Sequence, residues 1–322
     1  MRREPILACA LLVVAALAAI AGPATAFPDK PIRLIVPTVP GTTPDVLSRL
    51  LGDRLAALLG QPLVVENRPG AIGTIGLAAV ARAAPNGYTL GVLTVPYIVA
   101  PSLLTQMPYD TERDLSPVTL VAWNYSVLAV PAASPARSVA DLVALAKARP
   151  GEIKFSSPGN ATPPHLGGEL FKQAAGIDIF HVPYKGAAPS AAAVMTGEVD
   201  MAFAAPGAVT QYVKSGKLRL LATSAPRRLA AFPDLATLRE LGYPVEISDW
   251  QGIVVPAGTP KEVIAALHEA IKKSIATEDF QQRLDALGME PSGMGPEEYA
   301  TYLHTEIRRW RQLVRDAGIK AD

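Results

Sequence analysis

Ile32-Arg33-Leu34-Ile35-Val36-Pro37-Thr38-Val39-Pro40-Gly41-Thr42-Thr43-Pro44-Asp45 reads as a short strand, a turn and the opening of a helix. The run Ile32 to Val36 is rich in β-branched and apolar residues and predicts the strand, and Pro40-Gly41 breaks it. Thr43 before Pro44 marks a helix start, with a hydroxyl N-cap ahead of a proline at the first helical position. Val46, Leu47, Leu50, Leu51, Leu55 and Leu58 then recur at helical spacing. Gly60 stands where a left-handed C-terminal glycine ends such a helix. A strand feeding a capped helix is the building unit of parallel α/β structure.

The same alternation continues outward. Leu63-Val64-Val65-Glu66, a helix through Leu77, Val80 and Ala81, and the strand Thr89-Leu90-Gly91-Val92-Leu93 complete one right-handed α/β unit. Val118 to Val130 is long, apolar and extended. After it a second series places strands near Ile153-Phe155, Ile179-Val182, Val199-Phe203 and Leu218-Ala222. Helices over Ser138-Ala148, Pro163-Ala175, Ala187-Met195 and Val209-Lys214 separate them. A second extended segment, Val245 to Pro256, precedes helical stretches at Pro260-Ala276, Asp279-Leu287 and Pro296-Ala317. In the last of these Tyr299, Leu303, Ile307, Trp310 and Val314 share one face. The expected fold class is therefore α/β, with two α/β lobes joined by two extended crossover segments. Residues 27–125 and 250–322 make the first lobe and residues 126–249 the second. A ligand cleft between the lobes, hinged at the crossings, follows from that plan.

The beginning of the chain sets the compartment. Arg2 and Arg3 precede an apolar run from Ile6 to Ala21, and Ala24-Thr25-Ala26 has the small-x-small cleavage pattern of a secretory signal. The run is shorter than the ~20 residues that span a bilayer, so residues 1–26 are expected to be a cleaved signal peptide and the mature chain to begin at Phe27, in the periplasm. The single cysteine, Cys9, lies in this leader, which excludes internal disulfides and thiol chemistry from the mature protein. The 30 basic and 29 acidic residues of the full chain lose Arg2, Arg3 and Glu4 with the leader and come into balance. A nucleic-acid partner is not expected, because it rewards a basic field. A monomer is expected.

Motifs for catalysis are scarce. His165, His181, His268 and His304 show no metal-ligand spacing, so no metal is expected. No G-x-S-x-G elbow occurs, although a convergent triad needs none. Gly70-Ala71-Ile72-Gly73-Thr74-Ile75-Gly76 has G-x-x-G-x-x-G spacing rather than that of a dinucleotide fingerprint, and reads as a tight turn. No cofactor is expected.

Two loops suit an anion. Thr38 to Thr43, and Ser156-Ser157-Pro158-Gly159-Asn160-Ala161-Thr162, each lead into a helix that opens on proline. A helix N-terminus carries partial positive charge, and its leading N–H groups and nearby hydroxyls can bond a carboxylate. Pro44, Pro163 and Pro164 each remove a donor, which leaves more to Thr42, Ser157, Asn160 and Thr162. Ordinary helix capping favours the same residues, so both readings stand at this point. His165, one turn into its helix, is either a ligand contact or a loop support, and Lys185 is either an anion partner or a solvated surface lysine.

Together these segments resemble the substrate-binding receptors of the tripartite tricarboxylate transporter family, the Bug receptors. The resemblance runs through Pro31-Ile32-Arg33-Leu34-Ile35-Val36-Pro37, Val65-Glu66-Asn67-Arg68-Pro69-Gly70-Ala71, Pro85-Asn86-Gly87-Tyr88-Thr89-Leu90, Pro108-Tyr109-Asp110, His181-Val182-Pro183-Tyr184-Lys185-Gly186, Trp250-Gln251-Gly252 and Pro256-Ala257-Gly258-Thr259-Pro260. It implies a bilobal, type II-like periplasmic binding protein that closes on a small organic acid, presents it to integral membrane transporter subunits and catalyses nothing. By the same resemblance the loop after each lobe's first strand contacts the ligand carboxylate. The implied contacts are Thr38, Gly41, Thr42 and Thr43 in one loop, and Ser157, Asn160, Thr162 and His165 in the other, with Ala204 at a later strand end.

Three departures bear on the ligand. The family's P-F-P-A-G-G-x-x-D is here Pro37-Thr38-Val39-Pro40-Gly41-Thr42-Thr43-Pro44-Asp45. Its S-x-G-x-G is Ser157-Pro158-Gly159-Asn160-Ala161, and Ala204 stands where an acid is often found. A ligand with a carboxylate and no amino cation is the resulting expectation. Two other readings fit parts of the chain: a ligand-binding module for a signalling partner, and an α/β periplasmic hydrolase with a dispersed triad.

Overall fold

In the computed structural model, which describes residues 27–320, Ile32–Val36 is strand β1 and Thr43–Leu59 is helix α1. The expected signal segment lies outside the described residues. Next come β2 (Leu63–Asn67), α2 (Thr74–Ala81), β3 (Thr89–Leu93), α3 (Val95–Leu103), α4 (Thr111–Asp114), β4 (Leu115–Tyr125) and β5 (Val127–Pro131). The chain continues through α5 (Val139–Ala148), β6 (Lys154–Ser157), α6 (Pro163–Ala175), β7 (Phe180–Pro183), α7 (Ala187–Thr196), β8 (Met201–Ala204), α8 (Pro206–Lys214) and β9 (Leu218–Thr223). It ends with β10 (Ser248–Pro256), α9 (Lys261–Ile275), α10 (Glu278–Leu287), β11 (Glu290–Met294) and α11 (Pro296–Asp316).

The strands form a six-stranded sheet in the order β11-β4-β10-β3-β1-β2 and a five-stranded sheet in the order β7-β6-β8-β5-β9. Each is covered on both faces. In the first sheet Ile32, Leu34 and Val36 pack with Leu47, Leu51 and Leu55 of α1 on one side. On the other, Ile35 and Leu93 pack with Trp250, Tyr299, Ile307 and Trp310. Burial of that stripe of α11 accounts for its amphipathic sequence. Gly60 ends α1 at φ 70°, in the left-handed region its position predicts.

Strand direction places the loops. β1 runs parallel to β2 and β3, and β10 runs antiparallel to β3 with Gly252 opposite Leu93. β4 in turn runs antiparallel to β10, with Tyr125 opposite Ser248. The loop after β1, the end of β4 and the start of β10 therefore share one edge. In the second sheet β6 is parallel to β7 and β8, while β5 is antiparallel to β8 with Val127 opposite Ala204. The loop after β6 and the end of β8 thus lie at the edge where β5 begins, one residue past β4. Both loops face the place where the chain passes between the sheets.

A buried serine fastens that crossing. Ser224 Oγ donates to Ile247 O at 2.8 Å and lies 3.0 Å from Ser126 O, while Ser126 N–H donates to Ser224 Oγ at 3.1 Å. The Ser224 backbone joins the same two segments, its N–H donating to Ser126 O at 2.8 Å and its carbonyl accepting from Ile247 N–H at 3.2 Å. Beyond it, Arg227 makes a two-pronged ion pair with Glu290 at 2.8 and 3.2 Å. A Cβ added at Gly207 would stand 3.0 Å from Leu287 O, so the α8 and α10 backbones also touch across the two halves.

Candidate functional site

The first loop is held by one buried carboxylate. Asp45, 3 % exposed, accepts from Gly41 N–H at 2.9 Å, from Asn67 Nδ2 at 2.9 Å and from the Arg49 guanidinium at 2.9 and 3.2 Å. Burial pushes this carboxyl up, but Arg49, Gly41 N–H and Asn67 together hold it below its ordinary value. Asn67, at the end of β2, also donates to Thr38 O at 3.1 Å. Asp45 therefore fixes the loop to its own helix and to the neighbouring strand.

Thr42, not Thr43, is the N-cap residue, with φ −77° and ψ 161°. The reading of Thr43 as cap is corrected by one position, because Pro44 tolerates either first or second place in the helix. Thr42 makes no capping bond with its side chain. Its hydroxyl pairs with that of Thr38, and both approach Val39 O, at 3.0 and 2.9 Å. Val46 N–H makes the first helical bond, to Thr42 O at 2.9 Å. The N–H groups of Thr43 and Asp45 thus stand ahead of the ladder at the positive helix end.

The second loop rests on imidazoles. His165 is 6 % exposed, and its Nδ1 accepts from Ala161 N–H at 3.0 Å. A neutral ring accepting at Nδ1 carries its proton on Nε2. Burial, then the neighbouring His181 and Lys172, push the His165 imidazole down to about 3. The His181 ring stacks on it at 3.8 Å, 6° from parallel, an arrangement that two cationic rings would oppose. His165 thus supports the loop, and its stacked neighbour is His181, which arrives when β7 pairs with β6.

Ser157 Oγ sits 2.6 Å from His181 Nε2, 2.9 Å from Gly159 O and 3.2 Å from Gly159 N. Thr162 Oγ1 donates to Gly159 O at 2.7 Å, and Ala161 adopts φ 57°, a left-handed turn that brings Thr162 round to cap α6. With Pro163 and Pro164 opening the helix, only His165 N–H stands ahead of the first ladder bond, Leu166 N–H to Thr162 O at 3.0 Å. Asn160 is half-buried between these residues. Ala204 closes β8 opposite Val127, 8 % exposed, within the second lobe's core.

The serine–histidine contact at Ser157 and His181 is the one a hydrolase needs, yet Ser157 is fully buried and offers no face for attack. Among the described residues, no group of three or more His, Cys, Asp or Glu side chains is arranged to hold a metal ion. No helix among them is long and apolar enough to cross a membrane. In the glycine-spaced segment residues 71–73 form a turn and Thr74 opens α2; a Cβ on Gly76 would stand 2.9 Å from Arg68 O, so the close approach of α2 to the chain leaving β2 accounts for that glycine.

Residues 47–319 match the model of the tripartite tricarboxylate transporter family receptor. The chain belongs to this family. It is similar to BugT of Bordetella pertussis, with 36 % identity over 95 % of both chains. Among solved structures it resembles an R. palustris protein with adipate, at TM-score 0.78 and 33 % identity over 92 % of this chain and 100 % of that one. It also resembles MatC from Rhodopseudomonas palustris with bound malate, at TM-score 0.75 and 28 % identity over 89 % of this chain and 100 % of that one. These matches establish the bilobal binding-protein fold and the role of the family, solute capture for transport by receptors rather than enzymes.

Proposed function

We propose that this receptor captures a small carboxylate in the periplasm, between lobes bounded at residues 27–125 with 250–322 and at residues 126–249, and delivers it to the integral membrane subunits of a tripartite tricarboxylate-type transporter. The observation that carries this reading is the convergence of two proline-opened helix starts, one from each sheet, on the edge where the chain crosses between them. Each sets a positive helix end and several hydroxyls at that edge. The adipate and malate of the two solved relatives support the choice of a carboxylate.

In this reading Thr38, Gly41, Thr42 and Thr43 hold the ligand from one side, and Asn160, Thr162 and His165 from the other, with Ser157 bracing that loop from beneath through His181 and Gly159 and Ala204 setting an apolar wall. His165 contributes through its Nε2–H and by fixing the loop. The Thr38 and Thr42 hydroxyls, which bond within their loop, turn outward to donate. Binding that favours the closed over the open arrangement draws the lobes together in proportion to that difference in affinity.

The test is a thermal-shift and calorimetric screen of the chain from Phe27 against mono-, di- and tricarboxylates. A ligand at 100 times its dissociation constant adds about 2.7 kcal/mol of stability, and small-angle scattering should show compaction at saturation. A protein that binds none of these acids is not a carboxylate receptor.

A further inference from the structure

Three polar side chains at the crossing have oxygens with no role in either loop. Gln251, 2 % exposed, donates through Nε2 to Pro44 O and Ser48 Oγ, both at 3.3 Å. Those bonds fix its amide, and its Oε1 is buried without a partner. Two residues earlier on the same face of β10, Asp249 presents Oδ1, also buried and unpartnered. Directly across the strand pair from Asp249 is Asn124, 8 % exposed, whose Oδ1 is in the same condition. Buried acceptors are almost always matched by donors, and three on adjoining positions mark a place that a donor group completes.

That place lies along the returning segment between its contacts with the helices that follow the two loops. Gln251 touches the first turn of α1, immediately after the threonine loop, whereas a Cβ on Gly167 of α6 would strike Ile247. Asp249 is midway between these contacts, about 7 Å along the strand from Gln251. Burial pushes its carboxyl up to about 7, against a hydrogen bond from Trp250 N–H, and Oδ1 is the oxygen left without a donor. Tyr97 of α3 lies close enough for its phenol to feel the Asp249 charge.

We propose that Asp249, with the amide oxygens of Asn124 and Gln251, forms an acceptor subsite that reads a hydrogen-bond-donating substituent, hydroxyl or ammonium, on the carboxylate ligand. This rests on the carboxylate-receptor reading and narrows it to substituted acids. It also replaces the expectation drawn from Ala204: the acid missing at the end of β8 is supplied from β10.

Calorimetry with acids that differ at one carbon tests it: propionate, lactate and alanine; succinate, malate and aspartate; glutarate, 2-hydroxyglutarate and glutamate. In at least one series the hydroxy or amino acid should bind about tenfold tighter than its parent. Asp249→Ala should bring that ratio close to one, whereas Asp249→Asn, of the same shape, should keep a preference for hydroxyl and lose one for ammonium. If the Ala variant does not fold, the Asn variant and the hydroxyl-to-ammonium ratio carry the test. A parent acid that binds as tightly as its derivatives, or a preference that survives substitution of Asp249, overturns the subsite and leaves the receptor reading standing. Failure of every acid to bind defeats both.

Discussion

The two loops that face the crossing have the same plan, a strand end, a turn and a proline-opened helix, yet they keep their shapes by opposite electrostatic means. The first is pinned by an ionised carboxylate, Asp45, which gathers Gly41, Asn67 and Arg49. The second is pinned by a neutral base, His165, stacked on His181 and holding Ala161 N–H. Near the surface a charge can be buried because a half-exposed guanidinium and two further donors answer it. In the second lobe Phe155 flanks both rings, at 4.9 Å from His181 and 6.3 Å from His165, and there only an uncharged group is tolerated. One plan thus yields a loop indifferent to mild acid and a loop that acid should undo.

The largest effect should come from Asp45→Ala. It strands Gly41 N–H, Asn67 and Arg49 together, and should cost about 2–4 kcal/mol in chemical denaturation. A loss under about 0.5 kcal/mol would mean that the first loop keeps its shape without the carboxylate.

His165→Leu should cost about 1–3 kcal/mol, by leaving Ala161 N–H unbonded, and it also separates the two loops by pH. The His165 imidazole titrates at about 3 in the folded chain and near 6.5 when unfolded. The unfolded state therefore binds the extra proton as pH falls through 6.5, and folding loses up to about 1.4 kcal/mol per pH unit down to the folded value. The Leu variant should lack that slope between pH 6 and 4. Identical slopes in the two proteins would place the acid sensitivity elsewhere.

Asp249 has the reverse sign, because its folded value near 7 lies above the unfolded one. Folding is favoured below the unfolded carboxylate range and weakened as pH rises toward 7. Since the residue is only partly shielded, Asp249→Asn should be about 1–2 kcal/mol more stable than the parent at pH 8. It should show no such gain at pH 4. The smallest effect should be that of Thr42→Val, whose hydroxyl bonds only within its own loop. Stability should change by less than about 1 kcal/mol, while carboxylate affinity falls several-fold.

The sequence carried the fold further than the site. β1, β3 and α6 occupy the spans their residues predict, because periodicity and terminal signals agree there. α3 is not legible, since Pro96 and Pro101 interrupt its pattern; it persists because Ile98, Val99 and Tyr97 are buried in the first lobe's core. β11 contains Pro291 and Gly293, and as an edge strand paired only with β4 it can carry both. The loops themselves were readable from their threonines, serines and prolines. Their supports were not: His181 reaches His165 only through β6–β7 pairing, and Asn67 reaches Thr38 and Asp45 only when β2 pairs with β1. Neither neighbour is close in sequence, so no spacing rule can find it.

The serine that fastens the crossing has a mechanical consequence. Two separate connecting struts could slide past one another or rotate independently, and a gap between lobes hung on them would vary in width and in tilt. Joined by the β4–β10 ladder and again through Ser224, the two segments should move together. On the proposed carboxylate reading, the spacing between the threonine loop and the histidine-supported loop is then set in part by a hydroxyl that belongs to neither.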